Sequence, residues 1–285
     1  MSTTTTVTAA PNGSVVSPTA ESALPSVATM PERIPGERPT TAVPFVRLIG
    51  LELRKMFDTR AGRWLLIAIG AIIATALVIM FFNNSGHHGF EDYLTATTTP
   101  SAILLPIAGI LAVTSEWSQR TGLVTFALEP RRGRVIWGKF LAAMLVGVAA
   151  IVLSFALAAV AHQAAITIQG YGGDWALDNN TLLGAALFVL LGVAQGVGFG
   201  MLLRNTPAAI VLYFVLPTAW AILGDMVSWL ATAASWLDLN RTMNALFTVE
   251  SMTGEQWAQL GASVGLWVAL PVALGMWLLH RAEVK

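Results

Sequence analysis

The feature that most constrains this chain is its set of uncharged apolar runs, each near the length needed to cross the hydrocarbon of a bilayer. The clearest extends from Trp64 to Phe82, holds no ionisable side chain and is bordered by Arg60 and Arg63. As a helix it would reach about 29 Å. Lipid offers backbone N–H and C=O groups no partners, so such runs must satisfy them internally, which makes an all-α membrane protein the expected fold class. The balance of residue types agrees: 55% are apolar and only 11% charged, too few charges to coat a soluble domain. About six transmembrane helices are expected, near 64–82, 98–113, 140–162, 181–203, 207–224 and 259–279. The second is short and carries Pro100 and Pro106. Carbonyls freed by proline need neighbours, so this span is expected inside the bundle rather than against lipid. The chain has no cysteine, which excludes disulfides and thiolate metal sites.

Lysine and arginine set the orientation, because positively charged loops stay on the cytoplasmic side. Of the 16 basic residues, all but Arg241 fall before the first span, between the second and third, between the fourth and fifth, or after the sixth. The opposite loops carry Glu91, Asp92, Asp174, Asp178, Asp225, Asp238, Glu250 and Glu255. Both termini are therefore expected in the cytosol. Residues 1–43 are rich in Thr, Ser, Pro and Ala and lack the apolar block of a secretory signal. They read as a disordered cytoplasmic tail that stays attached, ahead of a membrane domain over 44–285.

Two segments of that domain do not span. Residues 45–60 form a two-faced helical pattern, with Phe45, Val46, Ile49, Leu53, Met56 and Phe57 on one side and Arg47, Arg54, Lys55 and Asp58 on the other. This suits an amphipathic helix in the membrane interface, its cations near anionic headgroups, or a short helix that merely leads into the first span. Residues 225–258 hold two apolar stretches too short to cross. They are expected as short helices partly inserted into the outer leaflet, or as a folded external loop.

Few motifs point to chemistry. Gly133, Gly138 and Lys139 mimic the start of a phosphate-binding loop, but Phe140 stands where a hydroxyl would hold magnesium, and no strand precedes. Any ATP is therefore hydrolysed by another chain. Gly192, Gly196 and Gly200 recur every four residues in the fourth span, the spacing of a flat face for close helix packing. His87 and His88 lie beside Glu91 and Asp92, where a solvated loop tip is a simpler reading than a metal site. His162 is expected to snorkel to the outer interface, or to line a polar path. There is no zinc-protease motif, glycine-flanked serine or deep carboxylate. No catalytic residue, cofactor or metal is expected, and no nucleic-acid partner. The lack of deep charges also argues against an ion-coupled carrier.

The loop from about 114 to 139, TSEWSQRTGLVTFALEPRRGRVIWGK, is too basic and too patterned for an idle connector. An acidic residue, a Gly, a short apolar helix, a Pro, basic residues and Gly-Lys follow in order as Glu116, Gly122, Leu128, Pro130, Arg132, Gly138 and Lys139. This resembles the loop between the second and third spans of ABC type-2 exporter permeases. The likeness covers roughly residues 45–285, through the amphipathic helix, the six spans, the partly inserted segment and the basic end in Arg281 and Lys285. It implies a permease in a bacterial plasma membrane, working as a homo- or heterodimer with ABC ATPase subunits. It also implies a coupling helix docked on the ATPase, with Glu116, Arg120, Gly122, Leu123, Phe126, Leu128, Pro130, Arg131 and Arg132 at that interface. Phe45, Ile49, Leu53, Arg54, Lys55 and Phe57 would hold the amphipathic helix in the bilayer interface. A non-transporting scaffold that recruits a cytosolic partner through the same basic loop is the rival reading.

Overall fold

The computed structural model describes residues 44–83, 88–118, 131–170, 173–248 and 252–281. The tail over 1–43 and the heart of the basic loop, 119–130, lie outside the described residues. Among the described residues all regular structure is helical. In chain order come α1 (Phe45–Asp58), α2 (Arg60–Phe82), α3 (Phe90–Ser118), α4 (Arg132–Gln169), α5 (Asn179–Leu203) and α6 (Thr206–Met226). A 3₁₀ turn at Ser228–Leu230 leads to α7 (Ala231–Leu237) and α8 (Leu239–Thr248). Then α9 (Gly254–Val264), a π-helical turn (Gly265–Ala269) and α10 (Leu270–Arg281) run on as one rod. Among the described residues six helices are long and apolar enough to cross a membrane: α2 to α6 and the α9–α10 rod.

Short α1 meets α2 at a sharp corner. Thr59 is extended there, and its hydroxyl accepts from the Gly62 amide at 3.1 Å, capping α2. Glycine is required at 62, because a Cβ would collide with the Met56 carbonyl. The crossing helices then alternate in direction, so α1, the start of α4, the α5–α6 corner and the end of α10 share one end of the bundle. The α2–α3 and α4–α5 connections, α7 and α8 share the opposite end.

Two of the crossing helices are longer than their hydrophobicity predicts, and for different reasons. In the first turns of α3, Phe90, Tyr93, Leu94, Thr97 and Thr98 are buried against protein, so this stretch never has to satisfy lipid. Ser154 and Thr97 exchange hydrogen bonds there: the Thr97 hydroxyl donates to the Ser154 carbonyl at 3.0 Å and the Ser154 hydroxyl to the Thr97 carbonyl at 3.2 Å. In α4 the extension is basic. Residues 132–139, expected within a loop, are the first turns of the helix, where Arg134 and Lys139 project beyond the apolar stretch that crosses.

The α3–α5 pair forms the spine. Proline 106 leaves the Ala102 carbonyl without its usual i+4 donor, and the glycine face of α5 lies beside that carbonyl and Pro106 itself. By contrast, α2 and α6 expose most of their apolar side chains, including Ile67 and Val78 on one and Val211 and Ile222 on the other, the signature of surfaces meant for lipid or another membrane chain.

Candidate functional site

The α1 end contains a cluster of charges that the membrane setting makes conspicuous. Glu52 lies on the bundle-facing stripe of α1 with Leu48 and Met56, one helical turn from each. Glu116 comes from the last turn of α3 and Lys139 from the start of α4. All three are buried, at 3%, 7% and 5% exposure respectively. The Lys139 ammonium donates to Glu52 Oε2 at 2.6 Å, lies 2.9 Å from Glu116 Oε1, and reaches the Ala112 carbonyl at 3.3 Å. Lys55, half-buried at the rim, donates to Glu52 Oε1 at 2.7 Å and to Glu116 Oε1 at 3.0 Å.

Two lysines and two carboxylates thus close a neutral ring spanning three helices. Taking three charges wholly and a fourth partly out of water is costly, and the ring offsets this by giving each charge two opposite neighbours within hydrogen-bond reach. Burial opposes the charged form of Lys55, but Glu52 and then Glu116 outweigh it, so its pKa is held above the ordinary lysine value. The same ring fixes the roll of α1. Gly138 lets α4 come close enough for Leu48 to pack, since a Cβ there would lie 3.2 Å from Leu48 Cγ.

The second junction at this end is polar but uncharged at its core. The Thr114 and Thr206 hydroxyls lie 2.7 Å apart, joining α3 to α6. Arg204, the one non-glycine residue with positive φ among the described residues, ends α5 in the left-handed region and places its guanidinium 5.4 Å above the Trp117 ring.

Set against the expected sites, Glu116 faces into the bundle and its contacts hold helices together. Arg131 is exposed, immediately before α4. Arg120, Gly122, Leu123, Phe126, Leu128 and Pro130, and the Arg132 side chain, lie outside the described residues. On α1, the face that meets the bundle is rolled toward Glu52 relative to the expected apolar face. Ile49 and Leu53 pack on the core and Phe45 is half-buried, while Phe57 and Val46 remain exposed. Arg54 pairs at the surface with Asp58 at 3.2 Å, and Lys55 turns to the ring rather than outward. Gly192, Gly196 and Gly200 all face α3, but unequally. A Cβ at 196 would overlap the Pro106 carbonyl, whereas one at 200 would lie 3.2 Å from the Ile110 carbonyl and one at 192 would lie 3.2 Å from the Pro106 ring.

The structure adds one residue to the expected sites, Glu52, and moves another, His162. Glu52 sat unnoticed within an apolar stripe, although a carboxylate in that position requires a cation from elsewhere in the fold. His162 does not snorkel: it is 1% exposed and is enclosed by the rings of Phe90, Tyr93 and Trp175.

Six crossing helices, a side helix clamped to one end and short helices closing the other define a polytopic helical membrane protein of the permease type. The sequence model of the ABC-2 family transporter proteins matches residues 76–284, and the chain belongs to that family. It is the membrane permease component of an ABC transporter, and membership implies an ATPase partner. No individual curated protein matches the chain.

Proposed function

We propose that this permease exports a substrate from the bacterial cytosol across the plasma membrane, driven by separate ATPase subunits that dock at the α1 end, and that it works paired with a second permease. The α1 end is the cytosolic one in this reading. Among the described residues every lysine and arginine except Arg241 lies there, and Glu91, Asp92, Asp174, Asp178, Asp225, Asp238 and Glu255 lie at the other. Both termini are then cytoplasmic. The exposed apolar flanks of α2 and α6 leave surface for the second permease.

The observation that carries the docking reading is the ring of Glu52, Lys55, Glu116 and Lys139. It joins the helix before the α3–α4 connection, the helix after it, and α1. A force applied to that connection would be delivered to three helices as one body, as rigid-body transmission requires. Arg131 and Arg132, with the apolar Leu123, Phe126 and Leu128, supply the anchors and basic rim of a compact protein interface.

The test is purification from the native membrane in mild detergent, with and without Arg131 and Arg132 both replaced by Ala. A stoichiometric ATPase subunit that is lost from the double variant is the expected result. Recovery of the chain with a different cytosolic protein, or with none, would favour a scaffold over a transporter.

A further inference from the structure

At the end opposite α1, a cavity of about 790 Å³ opens between α3, α5 and α8, a volume within the range that holds a drug-sized ligand. It adjoins a smaller chamber of about 60 Å³, the two sharing Ala102, Phe188, Asn240 and Met243 as lining. Gln195 lines the smaller chamber; it is buried, and its Nε2 has no hydrogen-bond partner among the described residues. A buried amide donor left unpaired is uncommon in a folded protein, and its place beyond a polar-mouthed cavity marks a position where a bound atom can accept its hydrogen.

The walls have a definite polarity. The Thr98 hydroxyl donates to the Leu94 carbonyl at 2.8 Å, the Thr99 hydroxyl to the Thr95 carbonyl at 2.8 Å, and the Thr181 hydroxyl to Glu91 Oε1 at 2.7 Å. Each hydroxyl has a single hydrogen, so all three can offer the cavity only lone pairs. Glu91 adds a carboxylate at the mouth, with the Thr181 hydroxyl as its hydrogen-bond partner among the described residues. Arg241, across the cavity, is already neutralised by an ion pair with Asp225. The uncompensated charge of the lining is therefore negative, and the hydroxyls of Thr98, Thr99 and Thr181 act as acceptors. Leu94, Phe188, Met243 and Phe247 provide the apolar part of the wall.

We propose that this cavity binds an amphiphilic organic cation. Its ammonium head sits between Glu91 and the threonine hydroxyls, its apolar body lies on Phe188 and Met243, and an acceptor atom reaches Gln195. Donor-bearing cations match the charge of the mouth and the acceptor hydroxyls beside it, and anions match neither. That such a cation is cargo rests on the permease reading; that it binds here does not.

The test uses the full chain in phosphatidylcholine nanodiscs, with empty nanodiscs as the partitioning blank. Fluorescence anisotropy follows decylammonium bearing a dansyl tag, against decyl sulfate and decanol bearing the same tag. Saturable binding of the ammonium alone is expected. Glu91→Gln should weaken it about tenfold or more, the loss typical of removing a charged hydrogen-bond partner. Thr99→Trp, at a cavity position exposed enough to accept the ring, should abolish it, and Asp92→Asn should leave it within about twofold, because that side chain is outside the lining. Equal binding of ammonium and sulfate, binding no greater than the blank, or full affinity in Glu91→Gln would overturn the proposal. Co-purification of an ATPase is scored separately: with the ATPase present and no cation bound, this inference fails and the permease reading stands. With the cation bound and no ATPase, the reverse holds.

Discussion

The two ends of this bundle handle buried polarity in opposite ways. At the α1 end, charges from α1, α3 and α4 are taken out of solvent and closed into a ring in which every member has opposite partners at 2.6 to 3.0 Å. At the other end, hydroxyls and amides line an open cavity, and the deep Gln195 amide donor has no partner among the described residues. Saturated polar contacts rigidify, because any displacement exposes an uncompensated charge. Unsaturated ones await a partner. The contrast suits a molecule that receives force at one end and holds something at the other.

Four substitutions sharpen or break that contrast. The largest effect is expected from Lys139→Met, which leaves Glu52 and Glu116 buried with only the rim lysine between them. A loss of about 3–5 kcal/mol is expected for breaking a buried ion pair, read as a fall in thermal unfolding midpoint in nanodiscs. Replacing Glu116 by Gln in the same chain should recover most of it, because Glu52 and Lys55 then remain as a neutral pair. A Lys139→Met midpoint equal to wild type would mean that the ring is ornamental.

Next is Gly196→Ala. The added methyl meets backbone at Pro106 rather than a movable side chain, so α3 and α5 must separate, at about 1–3 kcal/mol. Gly192→Ala should cost distinctly less in the same assay, since its neighbour is a proline ring at 3.2 Å. Equal losses would show that the four-residue spacing, and not the contact with the Pro106 carbonyl, sets the packing.

Glu91→Gln is the counterpart of Lys139→Met at the cavity end. It keeps an acceptor for the Thr181 hydroxyl, so its stability should change by less than about 1 kcal/mol. A loss as large as that of Lys139→Met would erase the distinction between the ends.

The smallest effect is expected from Arg54→Ala on the outer face of α1. Its pair with Asp58 is exposed and four residues apart, worth about 0.3–0.5 kcal/mol at most. The pH response of α1 should be equally muted near neutrality. Because the Lys55 pKa is raised on folding, its stabilising contribution is complete below the ordinary lysine value of about 10.4 and is lost only as pH climbs through the higher folded value. Unfolding midpoints of wild type and Lys55→Met should therefore differ by a constant amount from pH 6 to 9 and converge only in stronger alkali.

Much of this architecture was legible in the sequence, because lipid imposes a simple rule on chain composition. Trp64 to Phe82 lacks charges, and α2 follows. Phe90 to Thr97 lies outside the expected second span because threonines and acids lower its hydropathy, yet Phe90, Tyr93, Leu94 and Thr97 are buried against protein rather than lipid, and the lipid rule does not apply to them. Arg132 to Lys139 was read as loop because it is basic, but a helix can run past the hydrocarbon into the charged interface. The site was less legible. Glu116 and Lys139 stood out only as members of a loop pattern, and Glu52 not at all, because a partner 87 residues away along the chain leaves no local trace. The periodicity of α1 identified an amphipathic helix but not its roll, which is set by where Lys139 is found in space.

The chain has no cysteine, so a single introduced thiol reports from one place. The most direct measurement is photocrosslinking in intact cell membranes from Arg131→Cys, beside the α3–α4 connection, and from Trp229→Cys, exposed at the opposite end. Capture of an ATPase subunit from position 131 and not from 229 is the predicted result. Capture from 229, or from neither position while the chain is correctly inserted, would contradict docking at the α1 end and the transmission route built on it.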